Sequence, residues 1–313
     1  MTLRDVPGLR FGHATDATRI TGVSVVLATE GAVAGVDVRG SAPGTRETDL
    51  LRPTALVEHV HAICLAGGSA FGLAAADGVM RWLDERGIGV ETGARRVPIV
   101  PAAVIFDNFL GDPTAYPTAD DGYAACTAAE AGDGPAEGSV GVGTGATVGK
   151  LAGPGQATKS GIGSASLRMP DGTTVGALAV TNAVGNVVGR DGRILAGIRD
   201  GKGGFIDADT ILMARVPREV ARFGANTTLA VIGTDAALDR AGCRKLAELG
   251  HDALAIAIRP VHTMLDGDTV FALSTGRGAP LAAFDLVRLG AAAVSVLVEA
   301  IERSVEIGGG REA

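Results

Sequence analysis

The chain has 313 residues, of which 46% are hydrophobic and only 4% aromatic, with 47 glycines and a net charge of −7. This length allows one large domain or two small ones, with a core built from Ala, Val, Leu and Ile rather than from rings. The acid excess and the lack of a visible basic patch exclude nucleic acid as an expected partner, because neutralising phosphates takes clustered Lys and Arg.

From the N-terminus, Met1-Thr2-Leu3-Arg4-Asp5 carries no apolar signal core. Ile20 to Thr29 and Gly31 to Val38 read as two short strands flanking a turn, and Gly40 to Asp49 as a loop. Val57 to Leu65 is an apolar strand closed by Gly67-Gly68, after which Ser69 is placed to cap a helix from about Ala70 to Asp84. Val97 to Phe106 reads as a strand, Asp120 to Ala131 as an alanine-rich helix capped by Asp120, and Gly138 to Lys150 as a glycine-dense extended segment. Pro170-Asp171-Gly172-Thr173 and Gly189-Arg190-Asp191-Gly192 are turn signals between β-rich runs, one of them the strand Val175 to Thr181. Leu229 to Ile232 is a buried strand, Ala236 to Leu249 a helix, and Asp268 to Ser274 a strand. Leu281 to Val305 is a long helix with an apolar stripe at Leu286, Leu289, Ala293, Leu297 and Ile301. Strands and helices are grouped without a βαβ period, which predicts a layered α+β fold and a single domain over 1–313. The apolar helical run Leu289 to Val298 falls short of the roughly 18 residues a membrane span needs. Cys64, Cys126 and Cys243 are odd in number, widely spaced and without a zinc pattern. Together these features predict a soluble cytoplasmic protein with no metal, no cofactor and no membrane partner.

Several segments approach known motifs without completing them. GVGTGATVGK (Gly141 to Lys150) fails the phosphate loop, since Thr144 stands at its first glycine and Leu151 replaces the hydroxyl residue after Lys. Gly67-Gly68-Ser69-Ala70-Phe71 fails the nucleophile elbow at Phe71, which leaves Ser69 as an N-cap or as a group at a ligand-binding helix start. His59 and His61 alternate on one strand but lack a third ligand. His262 reads as a turn residue, and Asp266-Gly267-Asp268 departs from the calcium loop.

The candidate chemistry centres on Asn226-Thr227, at the front of a buried strand. A threonine freed at its amine by a backbone cut carries its own general base. Asp266 and Asp268, placed by a tight glycine turn, could orient its hydroxyl or amine, and one of them could pair with Lys150. Lys150 could depress a neighbouring amine's pKa or help hold an anion. Asn182, at a strand end, is a neutral donor suited to an oxyanion. Each of these residues taken alone also fits a turn, a cap or a solvated surface.

GSAPGTRETDLL, ICLAGGSAFGL, GVGTGATVGK, TNAVGNVVG, GANTTLAVIGTD and PVHTMLDGDTVFALSTG occur in that order, spanning about residues 6 to 305. Together they resemble the self-cleaving family of L-aminopeptidase/D-esterase and β-peptidyl aminopeptidases, nearest to its nylon-oligomer (6-aminohexanoate-oligomer) hydrolase branch. The resemblance implies an αββα sandwich like that of N-terminal nucleophile hydrolases, with its own connectivity. It implies cleavage between Asn226 and Thr227 into 1–226 and 227–313, with Thr227 as nucleophile and Lys150, Asn182, Asp266 and Asp268 around it. It also implies small amide or short peptide substrates, and homo-oligomers, often tetramers, of cleaved α/β protomers. Phe106 stands where the nylon branch has a tyrosine, which makes it the substrate-side departure. The alternatives are an acyltransferase related to ornithine acetyltransferase and a non-catalytic binding protein on the same fold.

Overall fold

A computed structural model describes residues 1–214, 226–278 and 285–309. Nine strands form the main sheet: β1 (Arg10–Asp16), β2 (Thr21–Val38), β3 (Thr45–Arg46), β4 (His59–Ala66), β5 (Ala102–Val104), β6 (Ile162–Arg168), β7 (Thr174–Asn182), β8 (Thr227–Thr234) and β9 (Thr269–Ser274). Their order is β6-β7-β8-β9-β2-β4-β5-β3, with β1 also paired to β2. The α-helices among the described residues are α1 (Ala75–Asp84), α2 (Ala119–Ala131), α3 (Ala208–Ala214), α4 (Arg240–Ala257) and α5 (Asp285–Glu306).

Alternation along the strands sorts the side chains into layers. Ala177, Ala179, Ala230, Ile232, Val270 and Ala272 face α4 and α5. Val23, Val25, Leu27, Ala62, Cys64 and Ala66 face α1 and α2. The opposite faces of both sheet halves share one interior, where Leu178, Val231 and Phe271 meet Val26, Ile63 and Leu65. The sheet therefore folds over on itself, and the order of layers is helices, half-sheet, half-sheet, helices: the expected αββα sandwich.

The hinge of this arrangement is β2. The sequence predicts two strands there, and the structure has one of 18 residues whose register slips between Leu27 and Ala32, with Gly31 at φ +87°. Its first half pairs with β1 and β4, and its second half with β9. Partners on both halves make the irregularity a bulge that bends the strand instead of a turn that ends it.

Other boundaries shift for local reasons. Only Ala102–Val104 of the expected strand Val97 to Phe106 joins the sheet; Pro98 and Pro101 lack the N–H that a ladder needs. Ser69 does not cap its helix: Gly68 holds the N-cap position at φ +75°, Ser69 is the first residue of a 3-10 turn (Ser69–Ala74), and α1 begins only at Ala75. Thr118, not Asp120, caps α2, in a box with Asp121. Asp239 caps α4 by accepting from Gly242 N at 2.7 Å, so that helix starts later and runs longer than the apolar spacing predicts. Gly138 to Lys150 is mostly turn, with a 3-10 segment Gly141–Gly143 and a short strand Thr147–Val148. The predicted stripe on α5 is buried at Leu289, Ala293, Leu297 and Ile301, while the expected start at Leu281 lies outside the described residues.

With few rings in the core, helices approach closely over glycine. A Cβ at Gly78 of α1 would lie 1.6 Å from Ala119 O, and one at Gly122 of α2 would lie 2.0 Å from Ala75 O. The two helices thus interlock backbone to backbone. Gly78→Ala is expected to destabilise the protein by about 1–3 kcal/mol through overpacking. Gly155→Ala, where a Cβ meets nothing within 4 Å, should stay within about 0.5 kcal/mol of wild type. Urea denaturation of the two variants checks both values.

Candidate active site

Strand direction gathers the site. β8 runs antiparallel to β7 and parallel to β9, so its first residues lie beside the end of β7 and the approach to β9. Asn182 is the register partner of Thr227, and Asn226 bridges to Asp266. Thr227, Asn182, Asp266 and Asp268 are all buried, as is Lys150.

The peptide between Asn226 and Thr227 is held from both sides. Gly267 N donates to Asn226 O at 2.9 Å, and Thr227 Oγ1 donates to the same oxygen at 2.5 Å. Gly267 has to be glycine here, because a Cβ would lie 2.7 Å from Thr227 Oγ1 and 2.6 Å from Ala42 O. The loop before β3 braces this turn from behind, with Ala42 N on Asp266 O at 2.9 Å and Arg39 N on Asp268 O at 3.1 Å.

Lys150 follows the strand Thr147–Val148 and reaches the end of β7. Its Nζ donates to Asn182 Oδ1 at 2.6 Å and to Asn182 O at 2.8 Å. Asn182 Oδ1 also accepts from Thr147 N at 3.1 Å, and Asn182 Nδ2 donates to Phe106 O at 3.0 Å. Asn182 thus ties the lysine to the segment carrying Phe106. Burial lowers Lys150 to a pKa of about 7, against the opposing pull of Asp266 and Asp107.

The two carboxylates are held differently. Asp266 accepts from Thr263 Oγ1 at 2.5 Å, Thr263 N at 3.1 Å and Val184 N at 3.3 Å. Burial, and then the charge of Asp268, raise Asp266 to about 6. Asp268 Oδ1 accepts from Thr228 N at 2.7 Å, and its Oδ2 accepts from His262 N at 3.2 Å and is 2.8 Å from His262 Nδ1. Lys150 feels the Asp266 charge, and its head group donates to Asn182.

Three residues of this region fall outside the site that the sequence predicts. Asp107 is buried, accepting from Gly68 N at 2.7 Å and Thr21 Oγ1 at 2.8 Å, and burial raises its carboxyl pKa although Lys150 pulls it down. Thr263 and His262 look like turn residues. His262 has φ +55°, a left-handed conformation costing a non-glycine residue on the order of 1–3 kcal/mol. The adjacency of Asp107 to Phe106, and of His262 and Thr263 to the acidic pair, was the only available hint. Ser69 also has a positive φ, of 56°, and its N–H donates to Ile105 O at 2.9 Å, beside the glycines that hold Asp107. It borders the region through backbone contacts. Phe106 is half-buried, with its ring 5.1 Å from that of Phe109.

Among the described residues, no group of three or more His, Cys, Asp or Glu is arranged to hold a metal ion. His59 is exposed, whereas buried His61 takes Ile99 N onto Nδ1 at 3.1 Å, and burial lowers its pKa to about 4. The three cysteines are free and buried. No helix of the described residues is long and apolar enough to cross a membrane.

Comparison with known proteins gives consistent matches. An uncharacterized aminopeptidase of Mycobacterium tuberculosis is 49% identical over 292 residues, covering 88% of this chain and 81% of that one. A 6-aminohexanoate-oligomer endohydrolase of Paenarthrobacter ureafaciens is 33% identical over 276 residues, covering 87% and 74%. Among solved structures, a Burkholderia sp. beta-aminopeptidase matches with a TM-score of 0.71 at 23% identity, covering 98% of this chain and 86% of that one. The L-aminopeptidase D-Ala-esterase/amidase of Ochrobactrum anthropi, described as a variant of the Ntn hydrolase fold, matches with a TM-score of 0.71 at 18% identity and the same coverage. The layered sandwich is therefore of the Ntn hydrolase kind. The family model for peptidase family S58 matches residues 2–308, and with these relatives it shows that the chain belongs to peptidase family S58.

Proposed function

We propose that the protein is a self-processing amidohydrolase with Thr227 as its N-terminal nucleophile. The observation carrying this reading is the double hold on the Asn226 carbonyl oxygen by Thr227 Oγ1 and Gly267 N. Oγ1 lies next to the one carbonyl whose attack would free its own amine, and an amide donor is already on the oxygen that would become negative.

In this mechanism Oγ1 bonds to the Asn226 carbonyl carbon. Its proton passes to the departing Thr227 nitrogen as the C–N bond breaks, leaving an ester. Water hydrolyses the ester to the Asn226 carboxylate and a free Thr227 hydroxyl, giving fragments 1–226 and 227–313. In turnover the new amine, with a reference pKa of about 8, takes the hydroxyl proton. With a small amide or short peptide, Oγ1 bonds to the substrate carbonyl carbon, the substrate C–N bond breaks and the amine leaves with the proton held on the Thr227 amine. Water then hydrolyses the ester to the free acid and the Thr227 hydroxyl. Lys150, with a pKa of about 7, supplies charge and exchanges protons near neutrality. Asp266 and Asp268 orient the start of β8, and Asn182 anchors Lys150 and adds its amide to the oxyanion region. Relatives named as aminopeptidases and as an oligomer endohydrolase support amide substrates. The working unit on this reading is a homo-oligomer of cleaved protomers.

Purified protein is expected to contain a chain whose Edman sequence begins Thr227-Thr228-Leu229, and Thr227→Ala to abolish it. A fully active, uncut wild type would overturn the mechanism. Lys150→Met should slow both self-cleavage and turnover by at least about tenfold while the protein stays folded by circular dichroism, as loss of a buried electrostatic group from a reaction site implies. Asp266→Asn and Asp268→Asn should each lower turnover, and unchanged kcat in both would remove the acidic pair from the site. The enzyme should release amine from small peptide or β-amino-acid amides with water as acceptor; faster transfer to added ornithine would make it an acyltransferase. Phe106→Tyr should raise the rate on 6-aminohexanoate oligomers, by up to roughly 10²-fold if the hydroxyl serves as an oxyanion donor. No gain would place the tyrosine's role elsewhere.

A further inference from the structure

We infer that His262 is a positioning residue for Thr227, acting through Asp268; this rests on the hydrolase reading above. His262 turns left-handed at φ +55°, and that single conformation aims both its backbone N–H and its Nδ1 at Asp268 Oδ2, at 3.2 Å and 2.8 Å. The other carboxylate oxygen, Oδ1, accepts from Thr228 N at 2.7 Å. Asp268 is pinned at both oxygens and cannot swing, and the Thr227–Thr228 peptide is fixed beneath it. The path from His262 to the nucleophile is one side chain and one backbone amide long.

The tautomers follow from the acceptors. Asp268 is an acceptor, so His262 carries its proton on Nδ1. Behind it, the ring of fully buried His251 packs edge-on with centroids 4.7 Å apart, and its Nε2 donates to Asp37 O at 3.0 Å. That leaves His262 Nε2 and His251 Nδ1 buried and without a hydrogen-bond partner among the described residues. A packing residue would need neither the left-handed backbone nor the orphaned ring nitrogen. Both are disfavoured features, and they accompany one service: two donors on a single carboxylate oxygen next to the nucleophile.

The test compares His262→Gly, which accepts the backbone conformation and removes the ring donor, with His262→Asn, which tolerates the conformation and retains a side-chain N–H. For His262→Gly, kcat and the rate of self-cleavage should fall on the order of 10- to 100-fold, as for a small misplacement of a reacting group. KM should stay within about twofold, the sign that ground-state binding is intact. His262→Asn should recover most of that loss. Wild-type kcat in His262→Gly, or no recovery in His262→Asn, overturns the proposal. If the wild type neither cleaves nor turns over, the hydrolase reading has failed on its own. Positioning is then decided by long-range 1H–15N NMR of the Thr227→Ala protein: an Nδ1-protonated His262 supports it, and an Nε2-protonated ring overturns it.

Discussion

The site depends on the register of one strand. Thr227 opens β8 between an antiparallel partner whose last residue is Asn182 and a parallel partner preceded by Asp266, Gly267 and Asp268. Three strand ends meet at one level because those two pairings point opposite ways. A slip of one residue would turn Thr227 to the other face of the sheet and bring Thr228 to its place. A slip would also exchange the side chains of two tightly packed faces, since Leu229 and Val231 face the shared interior while Ala230 and Ile232 face the helices. Core packing thus sets which hydroxyl stands beside Asn182 and the Gly267 turn.

Around that register lies a set of titratable groups that burial pushes toward their neutral forms while their opposite charges favour ionisation. Removal from water pushes Lys150 down and Asp266 up, and each lies in the other's field. Asp107 contributes from a third segment, fixed by Gly68 N and the Thr21 hydroxyl. Groups this far inside would be costly if fully ionised and unpaired. Burial thus moves the lysine and the carboxyls toward each other's titration range, the direction that a site for proton transfer requires.

Much of the fold was legible. The grouped strands and helices gave the layers, and the apolar stripe of α5 is buried as the period implies. Legibility failed where partners distant in sequence decide local structure. Gly31 looks like a turn until β9 is seen to pair with the second half of β2. Pro98 and Pro101 interrupt a run that apolar content alone reads as a strand. In the site, ordered motifs brought Thr227, Lys150, Asn182 and the acidic pair into one hypothesis, and the structure places them around the start of β8. The contacts of Gly267, His262 and Asp107 were not legible, because they depend on a backbone amide, a left-handed turn and remote residues, none of which leaves a compositional trace.

The central placement of β8 and β9 has a consequence for the life of the molecule after the proposed cut. Both strands lie between β7 and β2, and α4 and α5 cover the same half-sheet. A severed second fragment would keep ladders on both flanks and could not leave without opening them. The uncut chain finds its fold as one molecule, at a rate independent of concentration. The cut pair, once unfolded, would have to find each other first, a bimolecular search no longer aided by a tether. Processing would thus convert reversible thermodynamic stability into persistence set by an unfolding barrier. The mature form would endure by being slow to come apart, having lost the connection that first assembled it.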